Sequence, residues 1–239
     1  MYCGANLHMK LVSFSGIDGA GKSTQIDALR TFLEECGLRS NLYTFWDDIV
    51  ALRNLREGIS YNVFKGDRGV GSPEEPIQRR DKNITSWYVT SLRFLLYLLD
   101  AFRLRLAVAR IKGNTDVAIF DRYIYDELAN LPLDHWVMRV YVRSLLSLVP
   151  KPDFALLIDA QPEAASARKP EYPLEFVHRN REAYFEISRL AGMTILPPST
   201  VEGTAETIRN LIDENCWRES GNAPEVDLRS AGIPSTSMR

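Results

Sequence analysis

The chain has 239 residues, 45% of them hydrophobic and 25% charged, with 29 basic against 31 acidic side chains. That balance excludes wholesale disorder, a collagen-like repeat and a small disulfide scaffold. A formal charge of −2 gives no broad positive footprint, so no nucleic-acid partner is expected and any cationic site must be local.

Leu11 to Ser15 is a short apolar run that ends in glycines, and helical spacing follows through Ile26, Leu29, Leu33 and Cys36. Strand, glycine loop and helix are predicted there. Asn41 to Phe45 is a second strand candidate. Lys65 to Lys82, rich in glycine, proline and mixed charge, is expected to be an exposed inserted loop. A long helix is predicted over about 84–111, a third strand at Val117 to Phe120 and a helix over about 134–148. A fourth strand at Phe154 to Ile158, a helix over about 174–190, a fifth strand at Met193 to Leu196 and a last helix over about 205–216 complete the series. Strands alternating with helices imply an α/β fold: a five-stranded, mostly parallel sheet with helices on both faces, in one domain over 1–217. Residues 218–239 have little apolar periodicity and are expected to be a disordered tail.

Three cysteines, Cys3, Cys36 and Cys216, show no metal-ligand spacing, and the cytoplasm is the natural compartment. Met1 to Lys10 lacks an apolar stretch, and the greasiest run, Phe94 to Leu99, is bounded by Arg93 and Asp100. Neither secretion nor a membrane partner is expected.

Gly16-Ile17-Asp18-Gly19-Ala20-Gly21-Lys22-Ser23 satisfies the G-x-x-x-x-G-K-[ST] pattern between a predicted strand and a predicted helix. Glycines let consecutive N–H groups point into a phosphate chain, and the helix N-terminus adds partial positive charge. Lys22 would neutralise the transferring phosphoryl group, the Ser23 hydroxyl would ligate magnesium and Thr24 would add a phosphate contact.

The stretch Phe14 to Gln25, inner Asp18 included, resembles the phosphate loop of the thymidylate kinase family. Asp121-Arg122-Tyr123 after the third strand is similar to that family's Asp-Arg-Tyr, and Pro152-Asp153-Phe154 with Leu157 to Ala160 and Pro162-Glu163 is similar to its fourth strand and following turn. The resemblance implies a P-loop kinase fold, a three-layer sandwich, in which ATP with magnesium donates its γ-phosphoryl group to a small-molecule acceptor, a nucleoside monophosphate. By the same resemblance Arg122 grips the acceptor phosphate, Asp121 is the partner of the hydrated magnesium and Asp18 approaches the acceptor sugar. Tyr97 occupies the family's base-stacking position. Arg168 and Lys169, before Pro170, lie where the family closes a short arm over the phosphates, with Arg179 and Arg181 following; Arg168 is the first choice for the lid cation. A homodimer is also in keeping with the family.

The chain departs from the family on the acceptor side. Thr44-Phe45-Trp46-Asp47-Asp48-Ile49 replaces a Glu-Pro-Gly-Gly type turn, Ala101 replaces a second arginine, and Glu127 and Asn130 stand near positions that offer Asn and Tyr to the nucleotide. Arg68, Arg79, Arg80 and Lys82 could rebuild a phosphate clamp, or the inserted loop could simply be solvated, since Asp67, Glu74, Glu75 and Asp81 nearly cancel its charge. Three readings therefore stand: a monophosphate kinase with Asp47 on the acceptor side; a deoxynucleoside-type kinase that uses Asp47 or Asp48 as base towards a hydroxyl; and a nucleotide-binding protein without turnover.

Overall fold

A computed structural model describes residues 9–50, 87–111, 113 and 115–220, with 87–93 and 214–220 as helix backbone alone. The inserted loop at 65–82, the expected helix start at 84–86 and residues 221–239 of the expected tail lie outside the described residues.

Five strands form one sheet in the order β2-β3-β1-β4-β5, with β1 at Lys10–Ser15, β2 at Ser40–Thr44, β3 at Val117–Asp121, β4 at Phe154–Ile158 and β5 at Thr194–Leu196. All four pairings are parallel. Every residue of β1 and β4 is buried, so both faces of the sheet need cover, and β4, Phe-Ala-Leu-Leu-Ile, is apolar throughout without alternation. The helices supply it in two groups. α1 (Lys22–Glu35) packs on α7 (Val201–Ser220). α2 (Trp87–Ile111), α3 (Ile124–Leu128), α4 (Trp136–Leu148) and α6 (Leu174–Ala191) pack among themselves. The seven-residue α5, Pro162–Arg168, packs on α6.

The core gathers Val12, Phe14, Ile119, Phe120, Leu156 and Ile158 with Ile26, Leu29 and Leu33 of α1. Three elements differ from expectation. α3 follows Asp121-Arg122-Tyr123 where no helix is predicted, α5 forms a helix in the segment expected to carry the lid, and α7 runs from Val201 to Ser220, past both expected ends. The order of strands brings the C-terminal ends of β1 and β3 side by side, with Phe14 opposite Asp121. That edge is where an open parallel sheet forms its ligand crevice.

Candidate active site

The loop between β1 and α1 is shaped by glycines at two points of backbone contact. Gly16 has φ +144°, and a Cβ there would lie 2.4 Å from the Ile158 carbonyl oxygen at the end of β4. Gly19 has φ +80°, and its Cβ would lie 2.3 Å from the Ala165 carbonyl oxygen of α5. No side chain fits at either place. Lys22 folds back across the loop, its Nζ donating to the carbonyl oxygens of Gly16 at 2.8 Å and Ile17 at 2.9 Å. Burial, and after it the nearby charge of Arg122, pushes its ammonium down to about 8, against the pull of Asp126, Asp18 and Asp121. Ser23 and Thr24 are exposed on the first turn of α1. Asp121 sits at the end of β3, close enough to Lys22 and Arg122 to act on both electrostatically. A hydroxyl and a carboxylate are hard oxygen donors and fit magnesium, which keeps several of its waters when protein-bound.

Arg122 adopts φ +67°, alone among described non-glycine residues in the left-handed region. Its N–H donates to the Phe14 carbonyl oxygen at 2.9 Å. Its guanidinium donates from Nη2 to Asp18 Oδ1 on the phosphate loop and from Nη1 to Asp126 Oδ1 at 3.4 Å. The kink thus turns the side chain back over the loop. Burial alone would raise the Asp18 carboxyl, but Arg122, Lys22 and Lys169 together hold it below the usual value.

Asp126 has no counterpart in the sequence reading. It is buried at 5% exposure and lies on α3, a helix too short to leave a periodic signature. Glu127 is buried beside it, and Asn130 Nδ2 donates back to the Asp126 carbonyl oxygen at 3.0 Å.

The cations expected at the lid differ. Arg168 is exposed, and it donates within its own helix, from Nε to the Ala164 carbonyl oxygen at 3.1 Å. Its Nη1 lies 4.0 Å from where a Cβ on Gly21 would stand, so the guanidinium is already beside the phosphate loop. Lys169 pairs with Glu171 at 3.1 Å. Arg181 holds Asp159 through two bonds of 2.6 Å and lies 4.9 Å over the Phe185 ring. It is committed to a partner in the fold.

The remaining acceptor-side residues stand on other elements. Asp47 and Asp48 are exposed on the Phe45–Ile49 turn, a single wide turn closed by the Val50 N–H on the Phe45 carbonyl oxygen at 3.1 Å. Asp48 Oδ2 accepts from the Thr44 N–H at 2.7 Å. Tyr97 and Ala101 are buried in α2. Arg68, Arg79, Arg80 and Lys82 lie outside the described residues.

No family model matches the chain. A probable thymidylate kinase of Pyrobaculum aerophilum is 26% identical over 217 residues, covering 85% of this chain and 98% of the relative. Another from Methanothermobacter thermautotrophicus is 26% identical over 93% of this chain and 98% of its own length. Probable thymidylate kinase 2 of Saccharolobus solfataricus is 30% identical over 66% of this chain and 62% of its own length. The chain is thus similar over most of its length to probable thymidylate kinases. Its fold is also that of the thymidylate kinase structure from Candida albicans, at a TM-score of 0.58 and 20% identity over 87% of this chain and 92% of that one. Within this fold, the phosphate loop and the Asp121-Arg122 pair lie at the ends of two adjacent inner strands, β1 and β3.

Proposed function

We propose that the chain transfers the γ-phosphoryl group of ATP to a nucleoside monophosphate, with thymidylate the first acceptor to test. The observation that carries this reading is Arg122, a cation turned back by a left-handed backbone onto Asp18 of the phosphate loop. A guanidinium in that place can hold an acceptor phosphate in line with the donor chain. An acceptor oxygen attacks the γ-phosphorus, the bond to the ADP oxygen breaks, and no general base is required because the phosphate is already anionic near neutral pH. Lys22 and Arg168 offset the charge that develops on the transferring group. Magnesium, held by Ser23 and Asp121, would supply charge neutralisation between the phosphates. Asp18, released from Arg122, is placed for an acceptor sugar hydroxyl.

Purified protein with ATP and magnesium should release ADP with thymidine 5′-monophosphate, or another monophosphate of a nucleoside panel, and not with the free nucleosides. Turnover with nucleosides alone would overturn the reading.

The site works in a dimer in this reading. α2 exposes a stripe of Leu95, Leu99, Phe102 at 61% and Leu106, and α4, joined to it through the tilted Phe94 and Tyr141 rings, exposes Val137 and Val140. A second copy is the occupant we propose for this stripe. Sedimentation should show a dimer that Phe102→Glu converts to a monomer. Among the described residues no helix is long and apolar enough to cross a membrane, and the need for ATP is in keeping with the cytoplasm.

A further inference from the structure

Asp126 brings three elements together under the two site cations. Its Oδ2 accepts from the Ser15 hydroxyl at the end of β1, at 2.6 Å, and from the Tyr123 N–H at 3.0 Å. Its Oδ1 accepts from the Tyr184 hydroxyl of α6 at 2.7 Å and from Arg122 Nη1 at 3.4 Å. Four donors fill the four lone-pair directions of one carboxylate. The Tyr123 bond fixes the peptide that directly follows the left-handed Arg122, and the Nη1 bond fixes the far end of the same residue.

We propose that Asp126 is a positioning residue for the acceptor phosphate, a buried anion that holds the backbone and the guanidinium of Arg122 in one attitude. The inference rests on the monophosphate kinase reading above and deepens it. Asp18 and Asp126 then have different duties on the same guanidinium. Asp18 is half-buried on a loop and can give way when a phosphate oxygen takes its place. Asp126 has three further donors and stays. An arginine gripped on one side and exchangeable on the other loses little rotamer freedom when the acceptor arrives. A buried anion also offsets the mutual repulsion of Lys22 and Arg122, which act on each other electrostatically.

The experiment measures the Kd of thymidine 5′-monophosphate by titration, and KM for both substrates, in the wild type and in variants. Asp126→Asn keeps the shape, but its amide NH2 must face either Arg122 or the Tyr123 N–H, donors that cannot turn round as hydroxyls can. Acceptor binding should weaken tenfold or more while KM for ATP moves less than twofold. In an Arg122→Lys background the same change should cost less than threefold, because the group through which Asp126 acts is already altered. Equal losses for ATP and acceptor, or a full loss repeated in the Arg122→Lys background, would mean that Asp126 only holds the fold together and would overturn the proposal. Should Asp126→Asn fail to fold, Tyr184→Phe removes one donor and leaves the charge. It should weaken the acceptor at least threefold in the wild-type background, and unchanged acceptor binding would overturn the proposal. A wild type that neither binds nor phosphorylates any monophosphate would overturn the functional reading and this inference with it, whereas wild-type binding that the variants leave untouched overturns the inference alone.

Discussion

Lys22 donates to the carbonyl oxygen of Gly16 at 2.8 Å, so the cation of the phosphate loop is held by the loop it serves. Its ammonium titrates near 8 because it is buried. A bound phosphate chain favours the protonated form, so binding takes up a proton once the free site has lost one. ATP affinity should therefore fall as pH rises through about 8, by about tenfold between pH 7.5 and 9.5, or about 1.4 kcal/mol. Lys22→Arg should remove the pH dependence, and calorimetric titration at several pH values checks both. For stability the sign is the reverse. The folded state releases this proton more readily than the unfolded chain, whose lysine titrates near 10.5. The unfolded chain thus binds more protons between about 8 and 10.5, and this group's contribution to the stability of the free protein rises with pH across that window.

Arg122→Lys keeps a charge beside Asp18 and Asp126 but loses the fork. Acceptor affinity should fall by about 1–3 kcal/mol with little change for ATP. Separate titrations of the two nucleotides decide it, and an equal loss for ATP would assign Arg122 to the donor side.

Arg168 and Arg181 stand on neighbouring helices but should respond in opposite ways. Arg168 is exposed and, among the described residues, bonded within its own turn. Arg168→Ala should lower kcat by about 10² or more and leave thermal unfolding unchanged. Arg181→Ala leaves the buried Asp159 without its two bonds and should cost stability of about 1–3 kcal/mol. Paired kinetics and unfolding curves on both variants separate catalysis from support.

Asp48 caps its own turn through the Thr44 N–H. Asp48→Asn retains an oxygen acceptor and should be nearly silent, whereas Asp48→Ala should destabilise by about 1 kcal/mol. With a monophosphate acceptor neither variant, nor Asp47→Asn, should abolish an acidic limb of the pH-rate profile. Loss of such a limb would restore the hydroxyl-acceptor alternative.

The parallel sheet and the phosphate loop are legible because each rests on local pattern: an apolar run, a glycine cluster, then helical spacing at Ile26, Leu29 and Leu33. Arg122 is legible as a residue but not as a conformation, since only the tertiary bond from its N–H to Phe14 and its carboxylate partners explain the left-handed backbone. Asp126 is hidden for a related reason. Its donors come from positions 15, 122, 123 and 184, and no single window of sequence contains them. α5 left signals that favour a helix, proline at its first position, Glu163 in its first turn and three alanines, but a seven-residue segment is too short for periodicity to speak.

The contact between Gly19 and the Ala165 carbonyl gives α5 a mechanical identity of its own. Its middle turn is seated on the phosphate loop, and Arg168 stands one helical turn further along. The arm that carries the cation is therefore coupled to its target at the root rather than free to search for it.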